Sequence, residues 1–479
     1  MGLKTKRIGA AFGLALVSVA SAALADDSDL VKRGAYLSKA GDCAACHTAA
    51  GGEDMAGGYP FHMPMGTIIS SNITPSKEFG IGNWSEEEFA KAVRKGVAPG
   101  GHHLLPAMPY TSYSNITDDD MKALYAYFTQ AVKPVDKAPS EKTELDFPFN
   151  LPGVMMGWDL VFANGKPFTP DPALTDEQNR GKYLAEGLAH CSTCHTPRNQ
   201  MMAESTSKYL AGADVDGWHA PNITSDKVSG LGGWSDDEIV DYLKDGHAEG
   251  KAQAGGPMAE AVEKSFRFLT DEDLHSIAAY LKTVPAIRNA GQTTPTYAVS
   301  QAQKVDWTSF ENSPSVNDTA AHLDTSSTDG AMLYNTNCAA CHGTKGEGSR
   351  DGYFPSLTSN SAVGGTNPSN LVMAIVDGIH REGADRHAVM PAFATDTQVI
   401  HTGLNNDQIA AVTNYVTASF GQGDAGLKGT DVAQIRQGAA PGFLIRNAAT
   451  LATIGFIVAG IVALIILALI IVAVRRRKA

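Results

Sequence analysis

Cys43-Ala44-Ala45-Cys46-His47 is the stretch on which the reading of this chain turns. Two cysteines separated by two residues, with histidine directly after, form the attachment pattern of a c-type haem. Each thiol adds to one haem vinyl group as a thioether, and the histidine lies under the iron as its fixed axial ligand. One copy alone could be a redox or zinc motif. The chain writes it again as Cys191-Ser192-Thr193-Cys194-His195 and as Cys338-Ala339-Ala340-Cys341-His342. The first cysteines lie 148 and 147 residues apart, and the three motifs use all 6 cysteines, leaving none for a disulfide. The expectation is three covalently bound haem c groups, with His47, His195 and His342 as axial iron ligands.

The segments around the first two motifs repeat. Arg33-Gly34-Ala35-Tyr36-Leu37, Asn72-Ile73-Thr74 and Trp84-Ser85-Glu86-Glu87-Glu88 of unit one return in unit two. There they read Arg180-Gly181-Lys182-Tyr183-Leu184, Asn222-Ile223-Thr224 and Trp234-Ser235-Asp236-Asp237-Glu238. An internal repeat of this kind implies duplication. Ser85 and Ser235 are expected helix N-caps, with Glu88 and Glu238 in the capping-box position. Asn72 and Asn222 are expected in turns lining a haem crevice. Each unit closes on a helix with an acidic or polar first turn and apolar residues at helical spacing, from Thr117, Thr270 and Asn405 onward. Gly34, Gly181 and Gly330 would let Tyr127, Tyr280 and Tyr415 of those closing helices approach the opening helix. Such a crossing closes a small cytochrome c domain. Unit three lacks the Asn-Ile-Thr and Trp-Ser segments.

The expected fold is therefore all-α, with three cytochrome c domains in tandem and one C-terminal transmembrane helix. The expected order is a signal peptide (1–25), domain one (26–132), a connector (133–170) and domain two (171–284). A linker (285–325), domain three (326–421), a second linker (422–450), the membrane helix (451–474) and a basic stub (475–479) follow. Lys4, Lys6 and Arg7, an apolar run and Ala23-Leu24-Ala25 make up the signal. Residues 451–474 carry no charge and, as a helix, span about 36 Å, enough for a hydrocarbon core of about 30 Å. Arg475, Arg476, Arg477 and Lys478 follow and favour the cytoplasmic side. A permanent anchor at the N-terminus and a buried core helix at the C-terminus are the bland alternatives. The net charge of −13 hides a more acidic body, since the signal and stub hold 7 of the 38 basic residues. That balance argues against a nucleic-acid partner.

The second axial ligand decides the chemistry, because an iron with two protein ligands moves electrons and an open one can activate a small molecule. Met108, Met258 and Met390 each lie beside a proline and well downstream of their motif histidine. A proline-stiffened loop suits a weak thioether ligand, so these three are the expected second ligands. His102 or His103, His247 and His387 are the competing residues. No P-loop, dinucleotide fingerprint or zinc half-site is present, and no catalytic residue is expected in this chain.

Pro106 to Tyr110, Tyr209 to Ala213, Ala220 to Thr224 and Gly256 to Ala261, with the duplicated units, the third motif and the apolar tail, resemble a known family. It is the tri-haem cytochrome c subunits of bacterial membrane-bound sugar and alcohol dehydrogenases, and the look is nearest to those of fructose dehydrogenases. The resemblance implies an electron-transfer subunit. It would pass electrons from a FAD- or PQQ-containing dehydrogenase large subunit, with a small subunit also present, to ubiquinone. It also implies the bacterial inner membrane, with the haem domains in the periplasm. Delivery of electrons to a terminal oxidase and a haem peroxidase with one open iron are the alternatives.

Overall fold

The computed structural model describes residues 28–298, 326–395 and 403–478. The expected signal peptide and most of the 285–325 linker lie outside the described residues. Helices dominate, and their starts follow the side-chain chemistry of the sequence. Unit one opens with α1 (residues 28–40), and its motif forms the short helix α2 (Cys43–His47). It continues through α3 (Glu86–Lys95) and closes with α4 (Asp118–Gln130). The connector carries α5 (Val154–Phe162). Unit two repeats the plan with α6 (Asp176–Tyr183), α7 (Ser192–His195), α8 (Asp236–Asp245), α9 (Gly256–Lys264) and α10 (Asp271–Leu281).

Unit three comprises α11 (Gly330–Asn337), α12 (Ala339–His342), α13 (Ser369–Asp377), α14 (Asn406–Phe420) and α15 (Gly429–Arg436). The chain then runs into α16 (Ala448–Lys478). Ser85 and Ser235 cap α3 and α8 in full capping boxes with Glu88 and Glu238, satisfying donors that a helix start leaves unpaired.

Opening and closing helices cross in all three units, and glycine is what permits it. A Cβ at Gly34, Gly181 or Gly330 would overlap the carbonyl oxygen of Ala123, Ser276 or Ala411. It would also come within 2.7, 2.8 and 2.9 Å of the Cβ of Tyr127, Tyr280 and Tyr415, respectively.

Two expectations need correction. The described residues are not purely helical. Pro60–Met63 and Gly66–Ile69 form a hairpin that Glu144–Leu145 of the connector extends to three strands. Ala213–Val215 with Trp218–Ala220, and Ile379–Glu382 with His387–Met390, form two-stranded ribbons. The Ala213 ribbon turns on Asp216-Gly217, both at positive φ, an arrangement suited to the twist of paired strands. Residues 422–450 are also more than a linker. Val432 of α15 is fully buried in the core of unit three, and Asn414 bonds the backbone of Leu427 in both directions.

Among the described residues, the buried ones form two clusters. One runs continuously through units one and two, from Leu37 to Val284. The other belongs to unit three, from Leu333 to Val432. Units one and two are joined by a reciprocal polar lock. Asp120 of α4 accepts from Arg33 Nε at 2.5 Å and from Tyr183 Oη of the other unit at 2.6 Å. Asp273 of α10 accepts from Arg180 Nε at 2.7 Å and from Tyr36 Oη of the other unit at 2.5 Å.

Candidate haem sites

Each motif folds as a short helix that presents its histidine to the adjacent crevice. In all three, the ring Nδ1 faces a backbone carbonyl. His47 meets Ser71 at 2.7 Å, His195 meets Pro221 at 2.7 Å, and His342 meets Pro355 at 3.0 Å. Donation from Nδ1–H to the carbonyl fixes the tautomer, orients the ring and leaves Nε2 free for a metal. Burial pushes all three histidines below the usual imidazole value, His195 to about 4, so the ring is held neutral, as a ligand must be.

Two of the carbonyls are held in turn. Asn72 Oδ1 accepts from the backbone N–H and hydroxyl of Thr74, and its amide donates to the Val135 and Lys137 carbonyls. Asn222 repeats this with Thr224 and the Ile287 carbonyl. The two asparagines therefore pin the backbone one residue beyond the Ser71 and Pro221 carbonyls. Sequence reasoning placed them in turns but missed Ser71, Pro221 and Pro355. A backbone acceptor leaves no residue-type signature, although proline at two of the three positions was a weak one.

All six cysteines are free and unpaired with one another. Burial pushes Cys43 to about 11 and Cys46, Cys191 and Cys338 to about 12, keeping them as thiols, the form whose S–H adds across a vinyl double bond.

The methionines fall beside these sites by different means. Met258, in the first turn of α9, lines the same cavity as Cys191, Cys194 and His195. Met390, at the end of its ribbon, lines that cavity and a second one shared with Cys338, Cys341 and His342. Met108 and Cys43 both pack against the core shared by units one and two, and Met108 lines neither of these two cavities. Of the competing histidines, His103 Nδ1 lies 2.5 Å from Asp159 and His247 bonds Gln253. His102 is exposed on a short strand that pairs with Val97–Ala98, and the ring of His387 meets Tyr353 edge-on at 6.0 Å.

The sites are contiguous. Tyr113 Oη donates to the Gly41 carbonyl at 2.6 Å, two residues before Cys43. The ring of Tyr113 meets His190, directly before Cys191, at 5.7 Å. Asp42, next to Cys43, lines the cavity of the second motif, and burial followed by repulsion from Glu260 raises it to about 8. One cavity spans the second and third motifs, lined by His195, Trp218, Met258, Tyr334, Cys338 and His342. Buried Arg381 bridges units two and three, donating to the Ala254 carbonyl at 2.7 Å and to Gln253 at 3.1 Å. A crevice walled by apolar side chains, with unpaired thiols and a tautomer-fixed imidazole, fits haem c. The residues that could hold it are the motif cysteines and histidines.

Comparison with known proteins agrees. Residues 178–285 and 327–419 match the cytochrome c family, and 29–128 match cbb3-type cytochrome c oxidase subunit III. The chain is 45% identical over 410 residues to the fructose dehydrogenase cytochrome subunit of Gluconobacter japonicus, covering 85% of this chain and 83% of that one. It is 41% identical to the gluconate 2-dehydrogenase cytochrome c subunit of Pantoea cypripedii, covering 88% and 94% of the two chains. It is 38% identical to the cytochrome c subunit of alcohol dehydrogenase (quinone) from Gluconacetobacter polyoxogenes, covering 92% and 91%.

Proposed function

This chain belongs to the family of dehydrogenase cytochrome c subunits, and from that premise we propose that it carries electrons from a dehydrogenase large subunit to ubiquinone through three haem c groups. The single observation that supports the relay most is the contiguity of the three motif sites, the second and third walling one cavity. Haem c supplies a one-electron iron couple when bound. The protein's part is to fix each site. Cys43 and Cys46, Cys191 and Cys194, and Cys338 and Cys341 hold the groups covalently. His47, His195 and His342, oriented by their carbonyl partners, would ligate the irons, and Met108, Met258 and Met390 would supply the second ligands. A methionine ligand raises the reduction potential, which favours withdrawal of electrons from the dehydrogenase.

The donor's substrate chemistry lies in the partner, of FAD or PQQ type, with a small subunit alongside. The haem units would stand in the periplasm of a bacterium after export by the 1–25 signal, as domains 26–132, 171–284 and 326–421. Helix α16, with mean hydropathy 3.4 and no burial, would hold them to the inner membrane. The oxidase reading is favoured by the match of 29–128, but that match covers one unit, whereas the dehydrogenase subunits align over 85% or more of the chain.

Purification of the native complex tests the reading. A flavin- or PQQ-containing subunit with quinone reductase activity is expected, and recovery with oxidase subunits alone would overturn it. Carbon monoxide should leave the fully reduced spectrum unchanged, since an open iron would bind it. Met258→Ala and Met390→Ala should each remove part of the methionine-to-iron charge-transfer band at the red edge of the spectrum. If both spectra matched the parent protein, the ligand assignment would fail.

A further inference from the structure

The connector helix α5 is inverted relative to an ordinary surface helix. Its one charged residue, Asp159, is buried, accepting from Tyr110 Oη at 2.6 Å and meeting His103 at 2.5 Å. Its outward residues are apolar, with Met156 56%, Leu160 85% and Val161 56% exposed. A helix on the wet surface of a soluble body has the opposite pattern. An exposed apolar patch of this kind marks a surface that something covers.

The patch continues to the base of α16. Trp158 Nε1 donates to the Met201 carbonyl at 2.9 Å, so α5 holds a loop on which Met201 is itself 46% exposed. That loop reaches the segment leading into α16, where a Cβ on Gly442 would lie 2.9 Å from Gln200. Phe443 and Leu444 follow, 57% and 40% exposed. On the other side of α5, the ring of Phe147 packs against Phe456 of α16 at 6.3 Å between centroids. Phe456 lies five residues past Leu451, which at 1.5 Å per residue is about 8 Å along the helix. If α16 crosses the bilayer from Leu451, the connector at Phe147 is level with the upper acyl chains, the depth at which in-plane helices bury their apolar faces.

We propose that α5, with Phe147 and Met201, is a second membrane contact, lying in the plane of the outer leaflet beside α16 and seating unit one on the bilayer. The occupant of the patch is lipid. The continuity of the patch with the membrane helix argues for it, because a dehydrogenase subunit covering α5 would have to enter the same leaflet. Through Asp159, Tyr110 and His103, this contact connects to the loop that carries Met108 and so orients the first motif toward the membrane. The proposal rests on the reading of α16 as a membrane span.

The test is carbene photolabelling of the full haem-loaded chain in phospholipid vesicles, with a probe confined to the acyl region and sites mapped by peptide mass spectrometry. Labelling of 147–162 several-fold above that of the charged surface helix α3 is expected, together with strong labelling of α16. The double variant Leu160→Glu, Val161→Glu changes only exposed positions. It should bring α5 down to the level of α3, leaving α16 labelling and the reduced haem spectrum unchanged. Labelled α16 with unlabelled α5 would overturn this inference alone, whereas unlabelled α16 would overturn the anchor. Labelling of α5 that disappears when the dehydrogenase partner is bound would assign the patch to protein and overturn it as well.

Discussion

Units one and two are joined very differently from units two and three. The first pair share one core, and the lock between them is self-complementary. Each closing-helix aspartate takes an arginine from its own unit and a tyrosine from the other. That is the reciprocity of an isologous dimer interface, in which residue i meets j and j meets i. Here duplication has placed it inside one chain. Unit three keeps a separate core and is attached by backbone-directed polar contacts. Asn370 donates to the His219 carbonyl at 2.9 Å and accepts from its N–H at 2.7 Å, while Asp245 accepts from the backbone N–H of Asp385 at 2.7 Å. The pair should therefore unfold as one body, and unit three as another.

The hardest way to strain that distinction is at the helix crossings. Gly181→Ala places a methyl on the Ser276 carbonyl, a backbone atom that cannot rotate away. Gly330→Ala does the same at Ala411 with somewhat more room. Overpacking of this kind costs about 3 kcal/mol, or more where backbone must move. Calorimetry of the haem-loaded protein should show Gly181→Ala lowering the transition of units one and two together and leaving that of unit three in place. Gly330→Ala should do the reverse, with a smaller shift. Equal shifts of both transitions in either variant would mean that the two cores are not separate.

The two seams can then be compared directly. Asp273→Ala removes a nearly buried acceptor and leaves the Tyr36 hydroxyl without its partner, while Arg180, 36% exposed, can turn to water, a cost of about 2 kcal/mol. Asn370→Ala leaves one backbone N–H and one carbonyl to find water, about 1–2 kcal/mol. The first should lower the melting of both units of the pair. The second should leave each core's melting nearly unchanged and increase protease cleavage between units two and three. Cleavage no faster than in the parent chain would show that Arg381 and Asp245 suffice to hold unit three.

Much of this was legible in the sequence because it is carried by residue type at fixed spacing. The motifs, the capping boxes at Ser85 and Ser235 and the three glycine–tyrosine crossings are local patterns, and the fold reproduces them. What was not legible depends on where backbone comes to rest. The carbonyls of Ser71, Pro221 and Pro355 that aim the histidines carry no side-chain signature. The lock used residues already noted in the repeat, Arg33 and Tyr36 with Arg180 and Tyr183. Their partners become visible only once two units are placed against each other. The short ribbons escaped because two to four residues give too little alternation, although Asp216-Gly217 was a turn signal open to reading. Residues 422–450 looked like a linker because α15 buries only a thin apolar edge around Val432.

The smallest effect is the response of the lock to acid. Desolvation raises the affinity of Asp273 for a proton, but the bonds from Arg180 and Tyr36 outweigh it and hold the carboxyl below its ordinary value of 3.8. A carboxylate depressed in the folded state binds its proton more weakly than in the unfolded chain. Its stabilising contribution is therefore complete above pH 3.8 and is lost as pH falls through the folded value. The transition of units one and two should accordingly weaken in that acid range more steeply than in Asp273→Asn. That variant keeps the shape but cannot titrate. Because the pair shares one core, the loss should appear in both units at once, as a single calorimetric transition. An acid response of the parent protein no steeper than that of Asp273→Asn would remove this aspartate from the lock's energetics and leave the seam to Asp120 and its apolar contacts.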